Sequence, residues 1–152
     1  MDKKDREILA LLQRDAGLAV AAIAEQVHLS PGPCWRRIRA LEVAGFIRRR
    51  VAILDPAKLN VGTTVFVTLK TSRHDAEWFE LFATRVRAIP EVVEFHRMSG
   101  DVDYLLRLAI PDIGAYDRVY KQLIGVGGLS DVSASFALEC IKSTTELPLD
   151  YV

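Results

Sequence analysis

The chain has 152 residues, half of them hydrophobic, 26% charged and only 6 of them Pro, the composition of an ordinary globular protein with one medium core or two small ones. No apolar run approaches the ~20 residues of a membrane helix, and Met1–Glu7 alternates charge without the apolar stretch of a signal peptide, so a cytoplasmic location and no membrane partner are expected. The net charge is zero, but residues 1–54 hold ten Lys/Arg against six Asp/Glu, whereas 55–152 hold ten against fourteen. This split of +4 and −4 suggests two parts with different partners, the first of them polyanionic.

Chemistry-bearing residues are sparse. Cys34 and Cys140 are expected to be reduced packing residues. His28, His74 and His96 are scattered without metal-ligand spacing, so neither a metal site nor a cofactor is expected.

In chain order, Asp5–Asp15 carries Ile8, Leu11 and Leu12 at helical spacing, with Gly17 as a stop. A short helix over Val20–Val27 presents Ile23, Ala24 and Val27 on one face. The turn His28-Leu-Ser-Pro31 then starts a third helix, with Ser30 in the N-cap position and Pro31 at the first helical position. Cys34, Ile38 and Leu41 form its apolar stripe, and Gly45 supplies a left-handed stop. Two short helices across a tight turn, the second rich in Arg, form a helix-turn-helix pattern. With the stripe facing the core, Trp35, Arg36 and Arg39 project elsewhere. Residues 28–50 hold six Arg and one acid, Glu42, which favours DNA over an ordinary solvated face.

Residues 46–54 read as a short basic strand, and Asp55-Pro56 opens a connector to about Asn60, placing a domain boundary between 1–54 and 55–152. The pattern then switches to period 2: Val61, Thr63, Val65, Val67 and Leu69 alternate with Gly62, Thr64, Phe66, Thr68 and Lys70. A helix with Phe79, Phe82, Val86 and Ile89 runs from Asp75 to Pro90. Strands follow at Val92–Met98 and Asp103–Ile110, then a helix opened by Pro111-Asp112 and bearing Ile113, Tyr116, Val119, Tyr120 and Leu123, then a strand over Val132–Ile141. The order β-α-β-β-α-β predicts an α+β, ferredoxin-like sandwich with both helices on one face of the sheet. Apolar residues in both strand registers predict a bare face that is not strongly polar, and hence a homodimer joined sheet to sheet.

Three stretches resemble the leucine-responsive/asparagine-regulator (Lrp/AsnC) family. Leu29-Ser-Pro-Gly-Pro-Cys-Trp-Arg-Arg-Ile-Arg-Ala-Leu-Glu-Val-Ala-Gly-Phe-Ile47 is similar to its recognition-helix region. Met98-Ser-Gly-Asp-Val-Asp-Tyr-Leu-Leu106 resembles the turn of its effector domain, and Ile141-Lys-Ser-Thr-Thr-Glu-Leu-Pro-Leu149 its C-terminal tail. The resemblance spans nearly the whole chain in the right order. It implies an N-terminal winged helix-turn-helix with a hinge strand, then a ferredoxin-like effector domain. It further implies dimers that assemble into tetramers or octamers, an amino acid or related metabolite bound between subunits, and transcription regulation. Two positions depart from the family: Ala19 stands where many members have a capping Ser, Thr or Asn, and Val102 replaces a frequent aromatic.

On this reading double-stranded DNA is contacted by Ser30, Gly32 and Pro33 at the start of the third helix and by Arg36 and Arg39 on its face. Trp35 either packs at the domain rim or touches the DNA backbone. Arg48, Arg49 and Arg50 either meet flanking phosphates or form a solvated charge run. Arg37 is expected in a structural ion pair, with Glu42 or an N-terminal acid. The expected effector site comprises Met98, Ser99, Gly100, Asp101, Asp103 and Tyr104. Asp103 or Asp101 would accept from an ammonium and turn N–H groups would cradle a carboxylate, although two acids flanking a glycine are also ordinary turn formers. Ser133 and Ser135 would complete the pocket from a partner subunit. Two rivals remain: an effector-independent architectural DNA binder, and a sirohaem-decarboxylase-like enzyme. The latter's Arg/His-rich hinge has no counterpart in Val51–Leu59, which holds no His.

Overall fold

The computed structural model describes residues 1–152 and contains two compact units, Met1–Ile53 together with Ile141–Val152, and Leu54–Cys140. The chain therefore crosses between units twice. Its last segment folds with the N-terminal helices and not with residues 55–140.

In the first unit, α1 (Lys3–Arg14) begins earlier than the apolar spacing predicts because Asp2 caps it. The Asp2 carboxylate accepts the Asp5 N–H, and the Asp5 carboxylate accepts the Asp2 N–H, each at 2.9 Å. Helix α2 (Val20–Gln26) starts at Ala19 without a side-chain cap, as that departure implied. The turn to α3 (Pro31–Val43) is a Schellman closure. His28, at φ 53°, donates its N–H to Glu25, and Leu29 donates to Ala24. Gly45, at φ 78°, ends α3 in the same way, with bonds from Gly45 to Glu42 and from Phe46 to Leu41.

Each helix supplies three core residues: Ile8, Leu9 and Leu12; Ile23 and Ala24 with the adjoining Val27; and Cys34, Ile38 and Leu41. Burying each of the large aliphatic side chains is worth about 1.5–3 kcal/mol. Leu11, expected inside, is only half-buried. The basic strand expected at 46–54 does not form. Residues 48–55 are exposed and irregular, because no other segment of the chain offers them a ladder.

The second unit holds β1 (Thr63–Thr71), α4 (Ala76–Arg87), β2 (Val92–Arg97), β3 (Tyr104–Ile110), α5 (Ile113–Ile124) and β4 (Leu129–Phe136). The strands lie in the order β2-β3-β1-β4, every pair antiparallel, which is the predicted βαββαβ sandwich. Val65, Val67 and Leu69 of β1 meet Leu108, Leu106 and Tyr104 of β3 on the covered face, where Phe82, Val86, Val119 and Leu123 of the two helices complete the core. β4 ends earlier than its alternation predicts. The Ala137 N–H makes the last rung, to Thr64, close to where β1 itself begins.

The uncovered face is more polar than expected. Phe66 is its largest apolar side chain, flanked in register by Arg107 and Ser135. Beside it the Glu94 carboxylate accepts from Arg107 at 2.6 Å and lies 3.2 Å from His96. The Arg107 hydrogen bond holds Glu94 below the usual carboxylate range.

Candidate DNA-binding face and effector turn

Helix α3 turns Cys34, Ile38 and Leu41 inward and leaves Gly32, Trp35, Arg36 and Arg39 along the opposite side. Trp35 is 53% accessible, and the Arg39 guanidinium lies 5.9 Å over its ring. Arg36 forms no ion pair or hydrogen bond within the chain and is free to meet a ligand, whereas Arg39 donates to Glu42 at 2.8 Å.

Ser30 holds the cap position with extended backbone, yet its side chain caps nothing. The reason lies in the sequence. The third helical residue, whose N–H a serine cap ordinarily takes, is Pro33, and Pro31 lacks an N–H as well. Gly32 therefore presents the single N–H of the first three helical positions, and this helix start is a weaker phosphate cradle than most.

Arg37 does not join that face. It donates to Asp2 at 2.7 Å and to Asp5 at 2.8 Å, tying α3 to α1 as the N-terminal-acid expectation had it. The bond to Asp5, then that to Asp2, raises the Arg37 pKa further. Arg48 and Arg49 are exposed and unpaired, while Arg50 donates to Glu42 at 3.2 Å and to the Ala16 carbonyl at 3.5 Å.

The turn between β2 and β3 divides into an exposed tip and an anchored base. Met98, Ser99 and Gly100 are exposed, and the Asp101 side chain, 95% accessible, touches only Lys70 at 3.3 Å. Asp103 faces inward instead, accepting the Thr71 N–H at 2.8 Å. Tyr104 is no part of the exposed turn. At 5% accessibility it packs among Trp78, Phe79, Phe82 and Phe95, because the inward register of β3 begins with it. Its hydroxyl pKa is raised by that burial. Ser133 and Ser135 lie on the uncovered face opposite Thr68 and Phe66, on β4, which β1 separates from the β2–β3 turn.

Thr71 carries a second tether. Its hydroxyl donates to the Gly128 carbonyl at 2.8 Å, and the Trp78 indole N–H donates to Gly127 at 2.9 Å. Gly128, at φ 79°, admits no side chain, since a Cβ there would stand 2.6 Å from Trp78 Nε1. These bonds shape an open cleft of about 300 Å³ bordered by Tyr120, Ile124, Gly127 and Asp131. A larger cleft of about 400 Å³ lies in the first unit beside Leu12, Gln13, Arg49 and Ile53, and contains none of the expected effector residues.

The profile of the Lrp/AsnC ligand-binding domain matches residues 64–147, and that of a winged helix-turn-helix DNA-binding domain matches residues 1–48. This chain belongs to the Lrp/AsnC family. The DNA-binding transcriptional activator DecR of Escherichia coli strain K12 is 49% identical over 151 residues, 99% of each chain. Among solved structures, an AsnC-family transcriptional regulator from Agrobacterium tumefaciens superposes with TM-score 0.95 at 58% identity, covering 99% of both chains. A transcriptional regulator from Neisseria meningitidis, solved with L-Met, gives TM-score 0.94 at 38% identity over 99% of this chain and 98% of its own. The chain is thus a DNA-binding transcriptional regulator of the Lrp/AsnC type with a ligand-binding domain, and not an enzyme. No helix is long and apolar enough to cross a membrane.

Sequence reasoning missed three contributors in this Lrp/AsnC chain. Glu42 stood out as the one acid among arginines and as a candidate partner of Arg37, whereas its partners are Arg39 and Arg50. Thr71 gave no signal, since its role depends on the loop at Gly127 and Gly128. Gln13 likewise gave none. Its side-chain amide donates to the Leu147 carbonyl at 3.2 Å and accepts the Leu147 N–H at 2.7 Å, fastening the tail to α1 as one rung of a ladder would.

Proposed function

We propose that this regulator binds a specific duplex DNA sequence as a cytoplasmic homo-oligomer, and that an amino acid or related metabolite, with no resident cofactor, modulates it from a subunit interface. The observation that carries the DNA half is the exposed side of α3. There Gly32, Trp35, Arg36 and Arg39 form one continuous strip, with Arg36 uncommitted. Arginine can bridge guanine O6 and N7 bidentately, a pairing worth ~1–3 kcal/mol of discrimination. Arg48 and Arg49 supply flanking phosphate contacts, which make affinity strongly salt-dependent.

Several features support assembly. The sheet has an uncovered face, and Val51, Ile53, Leu54, Leu138 and Ile141 are exposed apolar residues on segments without strand partners. Support for an amino-acid effector comes from the Neisseria meningitidis relative solved with L-Met. The tip Met98, Ser99, Gly100 and Asp101 offers the effector contacts, with Ser133 and Ser135 contributed by a neighbouring copy. Asp103 and Tyr104 support the tip from behind. Control requires the effector to favour one assembly or hinge geometry over another, since equal affinity shifts nothing.

Selection of bound duplexes from a random pool, with and without each of the twenty amino acids, tests the reading. It predicts an enriched motif whose recovery changes with at least one amino acid, the same one that raises the melting temperature. Absence of an enriched motif rejects the DNA half. A motif indifferent to every amino acid rejects the amino-acid effector and favours an architectural binder.

A further inference from the structure

The arginine-rich stretch 28–50 contains a single acid, and the fold gives it two arginines at once. Arg39 Nη1 donates to one Glu42 oxygen at 2.8 Å, and Arg50 Nη2 donates to the other at 3.2 Å. The two guanidinium groups come from different places, one from the exposed side of α3 and one from the basic arm that follows it. Two guanidinium groups sharing the oxygens of one anion is the arrangement a DNA phosphate makes with a pair of arginines. Arg36, Arg48 and Arg49 have no such partner.

From this geometry we propose that Glu42 is a positioning residue for DNA recognition. It is an internal counter-anion that occupies Arg39 and Arg50 in the absence of DNA, must be displaced by a phosphate, and thereby suppresses binding to DNA of the wrong sequence. The inference rests on the reading that α3 presents Arg39 to DNA.

The physical basis is charge and exposure. All three groups are partly solvated, with side-chain accessibilities of 63% for Arg39, 43% for Arg50 and 26% for Glu42. Ion pairs this exposed are weak, so a well-placed phosphate can displace the carboxylate. The cluster carries one net positive charge with Glu42 ionised and two without it. The hydrogen bond from Arg39, reinforced by Arg50, keeps Glu42 below the usual carboxylate range, so the counter-anion is charged at physiological pH. The Arg39 guanidinium also lies 5.9 Å over the Trp35 ring, a second contact that holds it on the outer side of α3. On a cognate site base contacts engage the α3 face without both arginines having to leave the carboxylate, so less displacement is needed there. A random duplex has only phosphates to offer, and for it the carboxylate is a direct competitor.

The test is fluorescence anisotropy of the full-length protein on a mixed-sequence duplex and on a duplex recovered by selection, each across a salt series. Glu42→Gln is expected to bind the mixed-sequence duplex about 3- to 10-fold more tightly at low salt. The slope of log affinity against log salt should steepen by up to about 0.9, the increment of one further neutralised phosphate. Affinity for the selected duplex should rise less, so discrimination falls. Glu42→Asp keeps the charge and should stay within about two-fold of the parent on both duplexes. Glu42→Ala removes the same charge on a strong helix former and repeats the test should the amide disturb α3, which the melting temperature reports.

Charge-removed variants that melt like the parent yet bind the mixed-sequence duplex no more tightly, with an unchanged slope, would overturn the proposal. Arg39→Ala in the parent separates the two layers. If it weakens binding while the Glu42 variants do not tighten it, the counter-anion inference fails alone; if it changes nothing, the α3 reading fails with it.

Discussion

The Asp103 carboxylate accepts the backbone N–H of Thr71 at 2.8 Å while the Asp103 N–H donates to the Leu69 carbonyl at 2.9 Å, so the turn that carries the family's Gly-Asp-x-Asp pattern is pinned to the end of β1. Asp103 therefore acts first as a tether, and Asp101 is the acid left exposed at the tip, paired only with Lys70.

This division gives opposite expectations for the two acids. Asp103→Ala leaves the N–H of buried Thr71 without an acceptor, at a cost of about 1–3 kcal/mol. For a domain of this size each kcal/mol lowers the melting temperature by roughly 4–8 °C. Asp103→Asn keeps an acceptor oxygen and should melt closer to the parent. Asp101→Ala should leave melting unchanged but reduce whatever amino-acid-induced shift the parent shows. Thermal denaturation of the three variants decides; an Asp103→Ala protein as stable as the parent contradicts the tether.

The turn of the helix-turn-helix holds His28 at φ 53°, a left-handed conformation that costs a non-glycine residue about 1–2 kcal/mol. Its N–H is used in the Schellman closure, but its side chain is exposed and makes no hydrogen bond. His28→Gly should accordingly stabilise the N-terminal unit by about 0.5–1 kcal/mol, the relief of strain being partly offset by glycine's greater freedom when unfolded. Urea titration measures this, and a destabilised His28→Gly protein would mean that the imidazole contributes more than its exposure implies.

The tail is part of the DNA-binding unit. Beyond the paired Gln13–Leu147 bonds, Arg14 donates to Glu146 at 2.9 Å, Arg6 donates to the Val152 carbonyl at 2.9 Å, and Leu149 packs against the helical core. Truncation after Ser143 should remove these contacts together and expose α1. We expect faster amide exchange along α1 and weaker DNA binding, with exchange in β1 and β3 unchanged. Gln13→Ala should give a smaller effect of the same kind, about 1 kcal/mol. Undiminished protection of α1 in the truncated chain would show the tail to be a passenger.

Much of this was legible in the sequence because periodicity reports burial. The stripe at Cys34, Ile38 and Leu41 and the alternation through Val65, Val67 and Leu69 placed both cores, since a core face must recur at the spacing of its element. Partnerships were less legible. Residues 46–54 have a strand's composition, yet a strand exists only with a neighbour, and none is present in the single chain. Ser30 is the right residue for a cap, but Pro33 removes the N–H it would serve. Tyr104 sits inside the family's motif and still turns inward, because the parity of β3 outranks proximity in sequence. The links from Gln13 to Leu147 and from Thr71 to Gly128 join residues far apart in the chain, and no local pattern announces them.

The outer side of α3 is proposed to read DNA. Anisotropy titration of a selected duplex and a mixed-sequence duplex with Arg36→Ala tests it most directly, since Arg36 has no intramolecular partner whose loss could confuse the result. The expected result is a loss of about 1–3 kcal/mol on the selected duplex, a smaller loss on the mixed-sequence one, and an unchanged melting temperature. Equal affinity of variant and parent for both duplexes would contradict it.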